Sequence, residues 1–94
     1  MEKIKITLTA YNMGAGCDEA DFDAWAAWVE ENLPEALTID AARIEVDQHS
    51  YRNGPSSDTV TGGTEEERDR IRSWLAVGGW DEFCGSPEAW PKRA

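Results

Sequence analysis

Ile4-Lys5-Ile6-Thr7-Leu8-Thr9-Ala10 alternates apolar and polar residues, so Ile4, Ile6, Leu8 and Ala10 face one way and Lys5, Thr7 and Thr9 the other. A period of two reads as a half-buried strand with one side on a core. Asn12-Met-Gly-Ala-Gly-Cys17 then breaks the pattern with two glycines. Asp18 can cap a helix whose first turn places Glu19 and Asp21 favourably for its dipole. On a 3.6-residue period Phe22, Ala26, Val29 and Leu33 share a stripe with Trp25 at its edge. The spacing predicts a helix over 18–33, packed on the sheet by this stripe and ended by Pro34.

Residues 42–48 alternate again, with Ile44 and Val46 inward and Arg43, Glu45 and Asp47 outward. Arg52-Asn-Gly-Pro-Ser-Ser57 is a turn, and Asp58-Thr-Val-Thr-Gly62 returns as a short third strand. Thr64-Glu65-Glu66-Glu67 matches a capping box, and Ile71, Trp74 and Leu75 form an apolar stripe behind it. A second helix over 65–77 follows, with Gly78-Gly79 ending it and Trp80-Asp-Glu-Phe-Cys84 adding a turn before Gly85 and Pro87. The order is β-α-β-β-α. Three such strands share one apolar face, so both helices should cover it, giving an α+β two-layer sandwich. The chain is expected to be one domain over 1–94, with 86–94 a loosely ordered tail; strand order is left open.

The 94 residues carry 9 Lys and Arg against 19 Asp and Glu, a formal charge of −10. A field of that sign repels nucleic acid and anionic lipid, so neither is an expected direct partner, and a basic protein fits better. No stretch has the apolar length of a membrane span, and Met1-Glu-Lys-Ile-Lys5 lacks the apolar core of a signal peptide. The expected location is cytoplasmic. Cys17 and Cys84, far apart in such a chain, are expected as thiols.

Catalytic constellations are sparse. Gly14-Ala-Gly16 lacks the third glycine of a dinucleotide loop, Glu19 stands in its place, and Asp18 and Glu19 would repel a pyrophosphate, so the segment reads as a plain turn. His49 is the single histidine, and nothing in the spacing brings it to Cys17 or Cys84 for nucleophilic chemistry or zinc binding. It reads as a strand-end residue on the polar face. Glu65, Glu66 and Glu67 suit the first turn of a helix rather than acid-base work. The expectation is a non-enzyme with no catalytic residue, no metal and no cofactor.

The distribution of charge is more informative. No Lys or Arg occurs between Lys5 and Arg43, an interval holding Asp18, Glu19, Asp21, Asp23, Glu30, Glu31, Glu35 and Asp40. Glu19, Asp23 and Glu30 fall in a narrow band of the helix, with Glu31 further round the same flank; Glu19 to Glu30 spans about 16 Å at 1.5 Å per residue. Like charges at i, i+4 cost roughly 0.2–0.5 kcal/mol, so folding alone does not ask for such a row. Selection for solubility in salt also raises negative charge, and only three lysines occur, Lys3, Lys5 and Lys92. Of the five tryptophans, Trp25 and Trp74 read as core, Trp28 as a partly exposed anchor beside the acids, and Trp80 and Trp90 as turn residues. The residues expected to meet a partner are therefore Glu19, Asp23, Glu30, Glu31 and Trp28.

In size, charge and a compact α+β plan with a carboxylate-lined helix, the chain resembles small phage-encoded inhibitors of host defence, namely anti-CRISPR proteins and other DNA mimics. The likeness is one of overall character along the whole chain and rests on no shared motif, so no residue is transferred by position. It implies a stoichiometric inhibitor acting in the host cytoplasm, occupying the nucleic-acid channel of a CRISPR effector or another DNA-binding enzyme. The competing expectation is an acidic accessory or antitoxin-like module whose contact is apolar, through Trp80, Phe83 and Trp90.

Overall fold

A computed structural model describes residues 2–13 and 17–85. The Gly14-Ala-Gly16 turn, the expected tail over 86–94 and Trp90 lie outside the described residues. Three strands, β1 (Ile4–Leu8), β2 (Ile44–Gln48) and β3 (Thr59–Thr61), form one sheet in the order β2-β1-β3. β1 runs parallel to β2, with Ile4 opposite Ile44 and Ile6 opposite Val46, and antiparallel to β3, with Ile6 opposite Val60. The parallel pair is bridged by α1 (Glu19–Leu37), because two parallel strands need a long crossover and a helix supplies it while covering the sheet. The second helical segment packs on the same apolar face, so the molecule is a two-layer α+β fold with a mixed sheet.

The helix starts follow the sequence signals. Asp18 caps α1, its carboxylate accepting the Asp21 amide at 3.0 Å while the Asp21 carboxylate accepts the Asp18 amide at 2.9 Å. Thr64 and Glu67 form the matching box on α2 (Glu65–Ser73). The helix ends do not follow them. Pro34 sits inside α1, which runs on to Leu37 and stops at Thr38 in a left-handed conformation (φ 56°). Proline at that point forfeits one hydrogen bond. Packing of Leu33 and Ile39 into the core holds the last turn in place, and Arg70 donates to the Leu37 carbonyl at 2.6 Å.

Gly78-Gly79 likewise does not end the second helix. α2 passes through a single π turn, Trp74–Gly78, closed by the Gly79 amide donating to the Trp74 carbonyl, into α3 (Gly79–Cys84). Gly79 serves packing instead. A Cβ there would lie 2.7–2.8 Å from the Trp74 indole, whereas one on Gly78 would meet Trp74 at an ordinary 3.5 Å. Gly79→Ala is therefore expected to cost about 1–3 kcal/mol by overpacking. Gly78→Ala, exposed and helical, should gain about 1 kcal/mol. Opposite shifts of the midpoint in thermal circular dichroism check the pair.

The core unites the apolar face of β1 (Ile4, Ile6, Leu8), the α1 stripe (Phe22, Trp25, Ala26, Val29, Leu33), Val60, Ile71, Leu75 and Phe83. At one end Arg43 makes a bidentate ion pair with Glu67 at 2.8 and 3.0 Å, joining the start of β2 to α2. The Arg43 hydrogen bonds, aided by the Thr64 amide, hold the Glu67 carboxyl down at about 2 against an ordinary 4.5. A carboxyl lowered by folding stabilises above its unfolded value, and that stabilisation fades as pH falls through its folded value. The Tm advantage of the wild type over Glu67→Gln is thus expected to be full above pH 4.5 and to vanish as pH approaches about 2.

Candidate functional site

The four acids expected on α1, Glu19, Asp23, Glu30 and Glu31, are all exposed. Among the described residues no Lys or Arg nitrogen lies within 4.0 Å of their carboxylates or of that of Glu35. Lys5, Arg43, Arg68, Arg70 and Arg72 are engaged elsewhere. Lys5 sits 3.8 and 3.9 Å from Glu45 and Asp47 on the open side of the sheet. Arg43 holds Glu67, Arg68 donates to the carbonyls of Gly62 and Gly63, and Arg70 donates to that of Leu37. Arg72 bonds Asp69 at 3.1 Å, the single ion pair within α2, so that helix is less the salt-bridged solvent face its alternating charges suggest than a set of clamps onto neighbouring backbone. Asp23 alone of the four has a described neutral partner, accepting from the Gln48 side chain of β2 at 3.0 Å.

That bond shows which flank the row occupies. Glu19, Asp23 and Glu30 border the β2 side of α1. Trp28 lies roughly 160° round the helix from them at 100° per residue. It is half-buried against α3, stacked on Trp74 (ring centroids 5.6 Å, 7°) and on Trp25 (5.9 Å, 16°). Trp28 is thus partly exposed but set away from Glu19, Asp23 and Glu30, with only Glu31, three residues on, near its side of the helix; its indole joins other rings. Asp21 is also not part of the acidic surface, because the capping box buries it.

The rings form one cluster. Trp25, 3% exposed, is met edge-on by Trp80 at 5.0 Å and by Phe83 at 5.2 Å, and it stacks with Trp74 at 6.5 Å. Trp80, expected in a turn, is a half-buried helical residue, and Phe83 is fully buried. Phe83 therefore presents no open face, whereas Trp80 keeps part of its surface exposed. His49 is half-buried just beyond β2; its amide donates to the Leu8 carbonyl, while its shielded Nε2 has no hydrogen-bond partner among the described residues. Cys17 and Cys84 are half-buried thiols packed on the core. Among the described residues no three His, Cys, Asp or Glu side chains converge as metal ligands, and no helix is long and apolar enough to cross a membrane.

No residue pattern points to a cavity, yet one of about 360 Å³ opens between the carboxyl end of β1, the start of β3 and the π turn. Met13, Trp25, Leu75, Ala76 and Trp80 supply its apolar wall. Its polar groups are Thr9, Ser57, Asp58 and Arg72. Thr9 is already satisfied: its hydroxyl donates to the Pro55 carbonyl at 2.7 Å and its amide donates to Asp58 at 2.8 Å. Only the π register of the second helix was a possible signal, and it is invisible in the residue pattern. Comparison of the chain with protein-family models, curated proteins and solved structures finds no match.

Proposed function

We propose that the protein is a non-enzymatic inhibitor that covers a basic nucleic-acid-binding surface of another protein, such as the channel of a CRISPR effector complex, by presenting carboxylates in place of phosphates. The observation that carries this reading is the bare acidic flank of α1: Glu19, Asp23 and Glu30, with Glu31 beside them, are exposed and lack an internal cation among the described residues. Unpaired like charges on one helix cost stability, while partner Lys and Arg would relieve them. A flank about 16 Å long spaces its acids as a sparse version of a phosphate track, which recurs every 3.4 Å per strand. The contact is chiefly carboxylate, with Trp28, partly exposed and stacked on the ring cluster, at its far edge. Direct binding of nucleic acid or of an anionic membrane does not suit a chain of charge −10.

The test is competition. A panel of purified CRISPR effector complexes is loaded with fluorescent duplex DNA, and the protein is titrated in at two salt concentrations. Displacement at near-stoichiometric protein, weakening steeply as ionic strength rises, supports the reading. Salt-insensitive displacement would assign the contact to apolar surface instead. Failure to displace DNA from any member of the panel at a tenfold excess overturns the CRISPR assignment.

A further inference from the structure

We propose that the cavity at the carboxyl end of β1 is a binding site for a flat aromatic carboxylate. Its volume, about 360 Å³, falls in the range of small-ligand pockets, and its composition has their form: an apolar wall with a few polar groups. It sits outside the carboxyl end of β1, between the chain leaving toward α1 and the start of β3. The π turn contributes Leu75 and Ala76 to the wall, and such turns concentrate at functional sites. Val77, an apolar side chain 63% exposed, follows the lining residue Ala76 directly in the chain.

The chemistry of the wall selects the ligand. Trp80 and the Trp25 floor offer aromatic surface, and Met13 and Leu75 adapt to the edge of a ring. The cavity has one cation, Arg72, and one acid, Asp58, whose carboxylate accepts the Thr9 amide at 2.8 Å. Asp69 takes one of its terminal nitrogens at 3.1 Å, and the Val60 carbonyl holds the other only at 3.5 Å. A guanidinium fork has five donors in a plane that matches a carboxylate, so the ligand's acid group belongs there. None of these residues belongs to the acidic row of α1, so the two proposals stand or fall separately.

Indole-3-acetate, 3-methylindole and tryptamine share the indole ring and differ in the group at C3: a carboxylate, no charge and an ammonium. Calorimetric titration of the full chain, with the indole N–H signals of Trp25 and Trp80 followed by NMR, is expected to show saturable one-to-one binding of indole-3-acetate and shifts of both signals. 3-Methylindole should bind about tenfold more weakly, the factor equivalent to about 1.4 kcal/mol for a charge-assisted contact. Arg72→Gln should lower indole-3-acetate to the level of 3-methylindole and leave 3-methylindole unchanged. Ala76→Trp, a filling substitution at an exposed position, should abolish both, with an unaltered circular dichroism spectrum. Tryptamine binding as tightly as indole-3-acetate, full binding in the Ala76→Trp variant, or no saturable binding of any probe overturns the proposal.

Discussion

Replacing Phe83 by alanine is expected to remove about 3–5 kcal/mol of stability, the usual cost of emptying a buried aromatic site. Small domains have about 5–15 kcal/mol in total, so the variant is left marginal or unfolded at 37 °C. The reason lies in its neighbours. Phe83 is fully buried, and its ring lies 5.2 Å from Trp25, 5.8 Å from Trp28 and 5.6 Å from Trp80. It is the residue by which the end of the second helix closes on α1, and no small side chain reaches the same rings. Phe83→Leu, nearer in volume, should cost less than about 1.5 kcal/mol. Urea titration read by tryptophan fluorescence measures both. A loss under 1 kcal/mol in the alanine variant would mean that α3 contributes little to the folded state.

Charge reversal of Asp23 and Glu30 together is expected to weaken a complex with a basic partner by more than 100-fold, because placing like charges against each other costs several kcal/mol. Stability should change by less than about 1 kcal/mol, since both side chains are exposed and only Asp23 loses a described hydrogen bond, the one from Gln48. The control is an equal change of net charge elsewhere, Asp81→Lys with Glu82→Lys, two exposed acids on α3. If the control weakens competition with DNA as much as the α1 variant does, net charge rather than the row is responsible. If the α1 variant competes undiminished, the row is a solubility feature.

Local signals were legible wherever the physics is local. The alternation of Ile4, Ile6 and Leu8, the α1 stripe, and the caps at Asp18 and Thr64 each depend on neighbours within four residues, and each stands in the fold as read. The ends of helices were misread for the opposite reason. Pro34 and Gly78-Gly79 disfavour helix by local rules, but Leu33, Ile39, Trp74 and Phe83 are packed into one core, and their burial outweighs the cost of one missing hydrogen bond or of glycine entropy. The acids on α1 were readable as a row because a helix fixes their spacing. That Arg68 and Arg70 turn to backbone carbonyls near them in space, rather than to the acids beside them in sequence, was not.

By itself the sequence determined the three strands, the starts of α1 and α2, the sidedness of each and the one-sign surface of α1, since periodicity and charge need no knowledge of distant contacts. Only the tertiary structure decided that β1 is the central strand, parallel to β2 and antiparallel to β3, that Trp28 turns away from the acids into a cluster of rings, and that the π turn opens a cavity beside β1. These are set by which apolar surfaces bury one another, a choice made among residues 20 to 70 positions apart, on which the local pattern is silent.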